Sequence, residues 1–413
     1  MNYKNLEGMS KPTVCYLVSH GHTARGLTQT DLLGKLVRKG LNVVVISKDA
    51  NNNLLQQKCK DAGAQFVSFN LKNTIWSFNY LILRVYILED IKNNPALWEK
   101  HLRRIHNNPS RNPWRIIMPY LFYGIYKLCS WFPGLRSAFK RKESSMLKNT
   151  EAMDLLKRLE PSAIVSTRPL DVMEATILNA AKHLNIKTIA SILSWDNITS
   201  KGIFPETSDY YISWGPVMTQ EIEAYYHAKP EHIYECGVAH FDVHINTLKN
   251  SDPSPYLSLL GLDAAKPYMM FTMSAPYFCP NEIDIIEWMA KQVEENKYGV
   301  NMQFIARPHM QNMQGGIADV TWIERLKKIA SKRVAVDFPS LSDSELTWSM
   351  KQDDMLKLSQ LLAGASVCFN SCSTVAIESA ILNKPTVMPM FDTVKGYPWW
   401  KSVLRTKEFI HMK

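Results

Sequence analysis

The segment SVCFNSCSTVAIESAILNKPT, at 366–386, contains the local pattern of an α/β fold. A short apolar run ends at Asn370, a turn rich in hydroxyl side chains follows, and apolar residues then recur at helical spacing as far as Leu382. Another apolar run begins after Pro385. Because a strand, a helix and a strand follow one another at short spacing, we predict a βαβ unit with parallel strands.

The same alternation occurs on both sides of a segment at 246–267 that is rich in Ser, Pro, Asn and Asp, a composition typical of a domain boundary. The predicted strands lie at 13–18, 42–47, 65–70, 163–167, 188–193, 210–214, 268–274, 302–307, 334–338, 366–370 and 385–390. Two parallel sheets are therefore expected, one on each side of the boundary.

We predict an α/β fold of two Rossmann-like domains that face each other across a cleft. The first domain is expected at 1–250 with a helical insertion at 75–155, the second at 265–392, and a C-terminal helix at 393–413. Ligands of such folds bind at the carboxyl ends of the strands, so the loops there are the candidate sites. The segment at 19–26 is expected to be one of these polar loops.

The composition is that of a globular protein. Of the 413 residues, 46% are apolar and 21% are charged, which excludes a disordered, collagen-like or disulfide-scaffold chain. The seven cysteines form no C-x-x-C pair, so we expect free thiols in a reducing compartment. We expect neither a signal peptide nor a membrane-spanning helix, and hence a cytoplasmic protein.

The turn at 371–374 is a candidate anion site. Free amide groups at the start of a helix favour a phosphate, and the small side chains of Ser371, Ser373 and Thr374 let one approach. Glu378 lies one turn further on, where a carboxylate can accept hydrogen bonds from a ribose diol. The alternative is an ordinary capped helix with a glutamate that suits its dipole.

A second candidate is the segment FIARPH at 304–309. The predicted strand ends at Arg307, and the proline that follows places His309 at the carboxyl edge of the sheet. An arginine can bind phosphate through two hydrogen bonds, and a histidine can donate to a leaving oxygen.

These two segments resemble the donor-binding domain of GT-B nucleotide-sugar-dependent transferases, in particular the bacterial surface-polysaccharide glycosyltransferases and CDP-glycerol glycerophosphotransferases. In that group a strand ends in RPHP and a later helix begins with NSSST, followed by EA and KP. Here the segments are ARPHM at 306–310 and NSCSTVAIESAILNKP at 370–385. GVAHFD at 237–242 is similar to the family's G-x-P-R-F-D and departs from it at Ala239 and His240.

The resemblance covers about 160–392 and implies a nucleotide-donor-binding second domain and an acceptor-side first domain. It implies donor contacts for the following residues: Thr272, Ser274, Arg307, His309, Ser371, Ser373, Thr374 and Glu378.

The segment SWDNITSKG at 194–202 follows a predicted strand and combines an aromatic ring with amide and charged groups. Trp195, Asn197 and Lys201 are candidates for acceptor binding, because a flat ring stacks on a sugar and polar groups bind its hydroxyls. The alternative is a polar turn in which Asp196 caps a helix.

The catalytic base has three candidates. The segment SHGHTARG at 19–26 offers His20 and His22, and related GT-B enzymes often carry the base in this loop. Asp196 is the competing candidate, and Arg25 is a candidate acceptor contact.

Metal-dependent chemistry is not expected. The sequence has no Asp-x-Asp pair, no G-x-G-x-x-G and no P-loop motif. His240 and His244 are spaced as on one helix face, but no further ligands complete a zinc site. We therefore expect no metal and no cofactor, with the activated sugar as co-substrate.

The segment at 101–148 carries ten cationic residues against one acidic residue, Glu143, and is rich in aromatic residues between 113 and 142. This mixture is typical of a helix at a membrane surface. We expect Arg136, Lys140, Arg141 and Lys142 to bind anionic lipid. The alternatives are a core helical pair with a solvated basic rim, and nucleic-acid binding, for which no motif is present.

The sequence thus predicts a metal-independent GT-B glycosyltransferase of bacterial surface-polysaccharide synthesis, peripherally bound to the inner face of the membrane. Its partners would be a nucleotide-sugar donor, a glycan or lipid-linked acceptor and an anionic membrane surface, and not nucleic acid. The alternatives are a CDP-glycerol-type glycerophosphotransferase and a non-catalytic nucleotide-sugar-binding subunit.

Overall fold

The computed structural model describes 11–71, 78–106, 113–276, 278–314, 321–341, 344–346, 351, 353–371, 373–395 and 402. Contacts divide these residues into two compact units. The first unit holds 11–101, 113–239 and 344–346, and the second holds 102–106, 240–341, 351–395 and 402. The main segment of the second unit thus begins at His240, whereas the predicted first domain extends to 250.

The first unit contains a seven-stranded parallel sheet in the order β3-β2-β1-β4-β5-β6-β7. Its strands are β1 (Thr13–Val18), β2 (Asn42–Ser47), β3 (Gln65–Ser68), β4 (Ala163–Ser166), β5 (Lys187–Ser191), β6 (Tyr210–Ser213) and β7 (Ile233–Glu235). Alternate residues of β1 enter different cores, because Cys15 and Leu17 pack in one apolar cluster and Tyr16 and Val18 in another. Both faces of the sheet are therefore covered.

Eleven helices of this part of the chain connect or flank these strands. They are α1 (Gly21–Thr28), α2 (Leu32–Arg38), α3 (Asn53–Ala62), α4 (Phe78–Leu88), α5 (Pro95–His106), α6 (Pro113–Trp131), α7 (Pro133–Met146), α8 (Thr150–Leu159), α9 (Val172–His183), α10 (Asn197–Ser200) and α11 (Pro216–Tyr226).

Helices α4 to α8 lie between β3 and β4, where the helical insertion was predicted, and a buried ion pair joins two of them. The guanidinium of Arg84 in α4 lies 2.6 Å from the carboxyl of Glu143 in α7, and its Nη1 donates to the carbonyl of Ile203. The Tyr80 hydroxyl donates to the same carboxyl at 3.0 Å. The buried pair therefore joins α4 to α7, and the hydrogen bond from Arg84 to Ile203 connects the insertion to the rest of the unit.

The second unit contains a five-stranded parallel sheet in the order β10-β9-β8-β11-β12. Its strands are β8 (Tyr268–Thr272), β9 (Gln303–Arg307), β10 (Val334–Val336), β11 (Val367–Phe369) and β12 (Thr386–Val387). Its helices are α12 (Asp242–Lys249), α13 (Ser254–Leu259), α14 (Glu282–Glu294), α15 (Met310–Gln314), α16 (Thr321–Ile329), α17 (Asp354–Gly364) and α18 (Val375–Ile381).

Three details differ from the sequence-based expectation. The segment at 19–26 is not a loop, because α1 begins at Gly21, directly after the His20 cap, and buries Ala24 and Leu27. Strand β7 was not predicted, and only one of its three residues is even half-buried. The predicted C-terminal helix at 393–413 falls outside the described residues except for 393–395 and 402.

Among the described residues, no helix combines the length and the hydrophobicity that are needed to cross a bilayer.

Candidate functional site

In the first unit, the point where the strand order reverses lies between β1 and β4, and a buried carboxyl group spans it. Glu174 accepts hydrogen bonds from the hydroxyls of Ser19, after β1, and Ser166, at the end of β4. The amides of Thr167 and Arg168 donate to the same carboxyl at 3.0 and 2.8 Å. Burial raises the pKa of Glu174. One side chain thus ties together the loops that follow two neighbouring strands.

His20 is the N-cap of α1, and its ring is fixed by the backbone. The amide of His22 donates to Nδ1 of His20 at 3.2 Å, and the two rings stack with their centroids 5.2 Å apart. Since Nδ1 accepts a hydrogen bond, the proton of the neutral ring lies on Nε2.

The charges near His20 keep its ring neutral. Burial, followed by the positive charges of Arg168, Lys48, Arg25 and Lys201, lowers the pKa of His20 to about 3. The ring is therefore a hydrogen-bond donor through Nε2 over the whole physiological pH range. These properties do not suit a general base, which needs an unprotonated nitrogen and a pKa closer to neutrality.

His22, which is half-buried and stacks on His20, is then the better of the two histidine candidates for the base.

Asp196 is poorly suited to act as a base. Its carboxyl accepts hydrogen bonds from the hydroxyls of Ser194 at 2.8 Å and Ser200 at 2.9 Å, and lies 3.7 Å from the ammonium group of Lys201. Burial alone would raise its pKa, but the charges of Lys201 and Lys100 and the two hydroxyls lower it to about 2. The carboxylate is ionised and already used by its neighbours.

The predicted acceptor residues lie near this edge of the sheet. Trp195 is half-buried and packs against the apolar cluster of β5, β6 and α11. Asn197 is the first residue of α10, Lys201 is exposed after it, and Arg25 is half-buried in α1. A sugar platform at Trp195 stays a prediction.

In the second unit, Asn370 organises the predicted phosphate turn, a role that the sequence analysis missed. Its Nδ2 donates to the Thr272 carbonyl at 2.8 Å and to the Ser373 hydroxyl at 2.9 Å, and its Oδ1 accepts from the Ser373 amide at 2.9 Å. The Ser373 hydroxyl also accepts from the amide of Val375 at 3.3 Å. Asparagine at the end of an apolar strand, just before a Ser-rich turn, was the available signal.

A second buried carboxyl spans the point where the strand order reverses between β8 and β11. Oε2 of Glu282 accepts a hydrogen bond of 2.7 Å from the amide of Ser274, after β8. Burial raises the pKa of Glu282 to about 7, partly opposed by the hydroxyl and amide of Ser371, after β11. Ser274 and Ser371, both predicted donor contacts, are fully buried and instead surround this carboxyl.

Glu378, the predicted ribose contact, is buried below the turn. Its Oε2 lies 3.3 Å from Nε2 of His244, whose Nδ1 lies 2.9 Å from the Ser359 hydroxyl. The Ser359 hydroxyl in turn donates to that of Thr247 at 2.8 Å. This polar chain joins α18 to α17 and α12.

Arg307 does not present its guanidinium as a phosphate clamp. Nη1 donates to Asp337 and Nη2 to Asp354, and the side chain is buried. Burial alone would lower the pKa of Arg307, but the two carboxylates raise it above its ordinary value. Lys357 pairs with Asp337 as well, so two cations and two anions balance. The two Nη groups join β9 to the residue after β10 and to α17, instead of facing a donor phosphate as predicted.

His309 lies just after β9 and has the same geometry as His20. Its Nδ1 accepts a hydrogen bond of 3.2 Å from the amide of Gln311, which places the proton of the neutral ring on Nε2. Of the predicted donor residues, His309, Ser373 and Thr374 are partly exposed at the carboxyl edge, whereas Thr272 is buried.

No group of three or more His, Cys, Asp and Glu side chains within the described ranges could hold a metal ion.

Comparison with known proteins finds no matching family model and no matching curated sequence. Solved structures do match. A UDP-N-acetylglucosamine 2-epimerase is 12% identical, with 94% of this chain and 81% of that chain covered and a TM-score of 0.53. The UDP-GlcNAc 2-epimerase from Neisseria meningitidis, bound to UDP-GlcNAc, is 10% identical over 93% and 84% of the two chains, with a TM-score of 0.51. The enzyme from Methanocaldococcus jannaschii is 11% identical over 93% and 84%, with a TM-score of 0.50. At these identities the likeness concerns the fold, and the predicted GT-B class with two Rossmann-like α/β domains is confirmed.

The tautomer of His20 can be measured directly. We expect its ring nitrogens, observed by ¹⁵N-edited NMR, to show a proton on Nε2 and no titration between pH 8 and pH 5, whereas an ordinary imidazole titrates at about 6.5. His20→Asn, which replaces the Nδ1 acceptor at the N-cap with an amide oxygen, assigns the signal. A signal that titrates near neutral pH, or a proton on Nδ1, would contradict the assignment.

The raised pKa of Glu282 makes stability depend on pH. Between the ordinary carboxyl pKa and about 7, the folded chain holds a proton that the unfolded chain has lost, so stability decreases as pH rises through this window. Glu282→Gln has no titrating group here, so its unfolding free energy should lack this decrease. The gap between the unfolding free energies of the variant and the parent protein should therefore change by about 1 kcal/mol for each pH unit in this window. Urea denaturation at pH 5, 6, 7 and 8 measures it. Glu295→Gln, at the other end of α14, should keep the parent slope.

Proposed function

We propose that this chain is a metal-independent glycosyltransferase that takes a sugar from a nucleotide donor and transfers it to a lipid-linked or glycan acceptor at a membrane surface. The GT-B fold supports the use of a nucleotide sugar, because fold relatives include a protein bound to UDP-GlcNAc. The observation that favours glycosyl transfer over other reactions of nucleotide sugars is the exposed apolar face of α6.

The second unit is the proposed donor site. Ser373 and Thr374 are partly exposed at the β11–α18 turn, and their hydroxyl groups are the proposed phosphate contacts. His309 would donate from Nε2 to the leaving oxygen. Glu378 is the proposed ribose contact, and His244 would hold its carboxyl in position.

The proposed reaction breaks the bond from the sugar C1 to the donor oxygen, and the electron pair of that bond leaves with the nucleotide. A new bond forms between C1 and the acceptor oxygen. The acceptor hydroxyl gives its proton to a general base. Hydrogen-bond donors aimed at the departing phosphate stabilise the charge that develops there.

Helix α6 has a buried face and an exposed apolar face. Phe122 and Tyr126 pack towards α4. Trp114, Ile117, Leu121, Leu128 and Trp131 recur every three, four or seven residues, and we call them the outer face of α6. Trp114 is 68% exposed and Trp131 is 73% exposed.

Exposed aromatic and aliphatic residues in such a row indicate a surface that is covered by something else. The row continues into Phe132, directly before α7, and Leu135 of α7, and the same helix carries the exposed cations Arg141 and Lys142. Aromatic rings insert at headgroup level and cations bind lipid phosphates, so an anionic membrane fits both parts of this surface. A lipid-linked acceptor would explain why a nucleotide-sugar enzyme needs a membrane-binding surface.

Two of the four predicted membrane cations are less available than expected. Arg136 is half-buried and its Nη2 lies 3.4 Å from the Ser130 hydroxyl. Lys140 is half-buried as well, and burial followed by the charge of Arg84 lowers its pKa. We therefore assign the electrostatic part of membrane binding to Arg141 and Lys142.

The second candidate function is 2-epimerisation of a nucleotide sugar, which the names of the fold relatives favour. A change of configuration at C2 breaks and remakes the C2–H bond, so a solvent proton enters the sugar. Glycosyl transfer leaves that bond intact. Deuterium uptake from D₂O therefore separates the two reactions.

Turnover of UDP-GlcNAc in D₂O, with membrane lipid extract as acceptor, tests the proposal. We expect release of UDP that depends on the acceptor, with no deuterium at C2 of the remaining donor. His309→Asn supplies an oxygen that can accept from the Gln311 amide but loses the ring N–H, and should slow turnover by about 10²-fold. His183→Asn, on the exposed end of α9, is the matched control and should keep the parent rate.

Deuterium at C2 without acceptor would establish the epimerase instead. Release of CMP from CDP-glycerol would establish glycerophosphate transfer. If no member of a panel of UDP-, GDP-, CDP- and CMP-linked donors is turned over or bound, the proposal of a nucleotide-sugar enzyme fails.

Membrane binding is tested by co-sedimentation with vesicles of phosphatidylcholine and phosphatidylglycerol. We expect the parent protein to sediment with anionic vesicles, and Leu128→Ser/Trp131→Ser to bind about tenfold or more weakly, since both side chains are exposed and only lipid contacts are lost. Arg141→Gln/Lys142→Gln should reduce the salt-sensitive part of binding.

Trp288→Ser is the matched control, because Trp288 is an exposed tryptophan of the second unit outside this surface. If the parent protein stays in the supernatant, or if Trp288→Ser weakens sedimentation as much as the α6 variant does, the outer face of α6 is not a membrane surface.

A further inference from the structure

Cationic side chains gather at the carboxyl edge of the first unit. Arg25 follows β1, Lys48 follows β2, Arg168 follows β4 and Lys201 follows β5 and α10. In a parallel sheet these strand ends lie side by side, and all four charges act on the ring of His20. The group is confined to one edge of one sheet.

Nearby carboxylates neutralise only part of this charge. Lys48 lies 3.2 Å from Asp171, and Lys201 lies 3.7 Å from Asp196. These two acids are thus committed to lysines. Arg168 adds a further positive charge at the same edge.

Arg168 is held in place by its backbone rather than by its side chain. Its amide donates to the carboxyl of Glu174 at 2.8 Å, which fixes the residue at the reversal of strand order. Within the part of the chain that the structure describes, its half-buried guanidinium has no ion pair and no hydrogen bond. A partly desolvated guanidinium is suited to a two-point contact with an oxyanion.

Neutral donors complete the surroundings. The hydroxyls of Thr23 and Thr167 lie 2.6 Å apart and join α1 to the loop after β4. The ring of His20 is buried with its proton on Nε2, because Nδ1 accepts from the His22 amide. Several cations around neutral N–H and O–H donors match a doubly charged, tetrahedral anion better than a single carboxylate.

We propose that the reversal point of the first sheet is a phosphate site, in which Arg168 binds a phosphate or diphosphate group with the help of Lys48, Arg25 and the His20 ring N–H. The phosphate is assigned to the acceptor, because the first unit also carries the outer face of α6, and an acceptor anchored in lipid through a phosphate would meet both. Only this choice of carrier rests on the proposed function.

Calorimetric titration of the full chain with inorganic pyrophosphate tests the site. We expect saturable binding at low salt, and Arg168→Gln should weaken it by about tenfold or more, the usual effect of removing one charged hydrogen-bond partner. Lys48→Gln should weaken it several-fold. His20→Asn keeps the cap of α1 and should also weaken binding.

Arg158→Gln is the matched control, since Arg158 is an exposed arginine at the end of α8 in the same unit. If Arg158→Gln and Arg168→Gln weaken pyrophosphate binding equally, binding depends only on the net charge of the protein, and the proposal is overturned. An absence of binding to the parent protein would also overturn it.

Two further probes identify the carrier of the phosphate. If it belongs to the acceptor, Arg168→Gln loses affinity for a ten-carbon prenyl phosphate and keeps its affinity for UDP within about twofold. If Arg168→Gln instead loses affinity for UDP and keeps its affinity for the prenyl phosphate, the phosphate site stands, but its assignment to the acceptor is overturned. Because pyrophosphate binding requires no turnover, failure of the glycosyltransferase proposal would leave this result standing, and the two failures can be told apart.

Discussion

A buried carboxyl group spans the reversal of strand order in each sheet, and the geometry of both candidate sites depends on it. At this point the loops after two adjacent strands turn away from each other. Their backbone amides can then no longer form the hydrogen bonds of the sheet and need other acceptors. Glu174 accepts from both sides in the first sheet, and Glu282 lies between Ser274 and Ser371 in the second. Burial raises the pKa of both carboxyls, so the loops are held together at a cost in free energy.

Loops that are fixed in this way can hold ligand-facing groups without a search through conformations. His20 and His309 each follow a strand and accept an amide hydrogen bond at Nδ1, which leaves each neutral ring as a donor at Nε2. Asn370 fixes the turn of the second unit through three hydrogen bonds to Thr272 and Ser373. The two units therefore use the same devices: a buried carboxyl below, and a capped histidine at the edge.

The sequence predicts the strands well, because alternating apolar residues such as Cys15, Tyr16 and Leu17 must enter the two cores of a covered parallel sheet. It predicts side-chain direction poorly. Arg307 was placed correctly at the end of β9, but its partners, Asp337 and Asp354, come from later elements, and no local pattern reveals them. The insertion shows the same limit, since the aromatic and basic composition does not tell which face of α6 is covered by α4.

The two arginines at strand ends show how function separates from packing in this fold. Arg307 of the second unit meets two carboxylates, and Lys357 balances the remaining charge, so this group needs no ligand. The backbone amide and carbonyl of Arg168 in the first unit are hydrogen-bonded, but its guanidinium has no hydrogen bond and no ion pair among the described residues. A half-buried charge without a partner is unfavourable in the free protein, and a bound anion relieves that cost. This difference is why we propose an anion site at Arg168 of the first unit and not at Arg307 of the second.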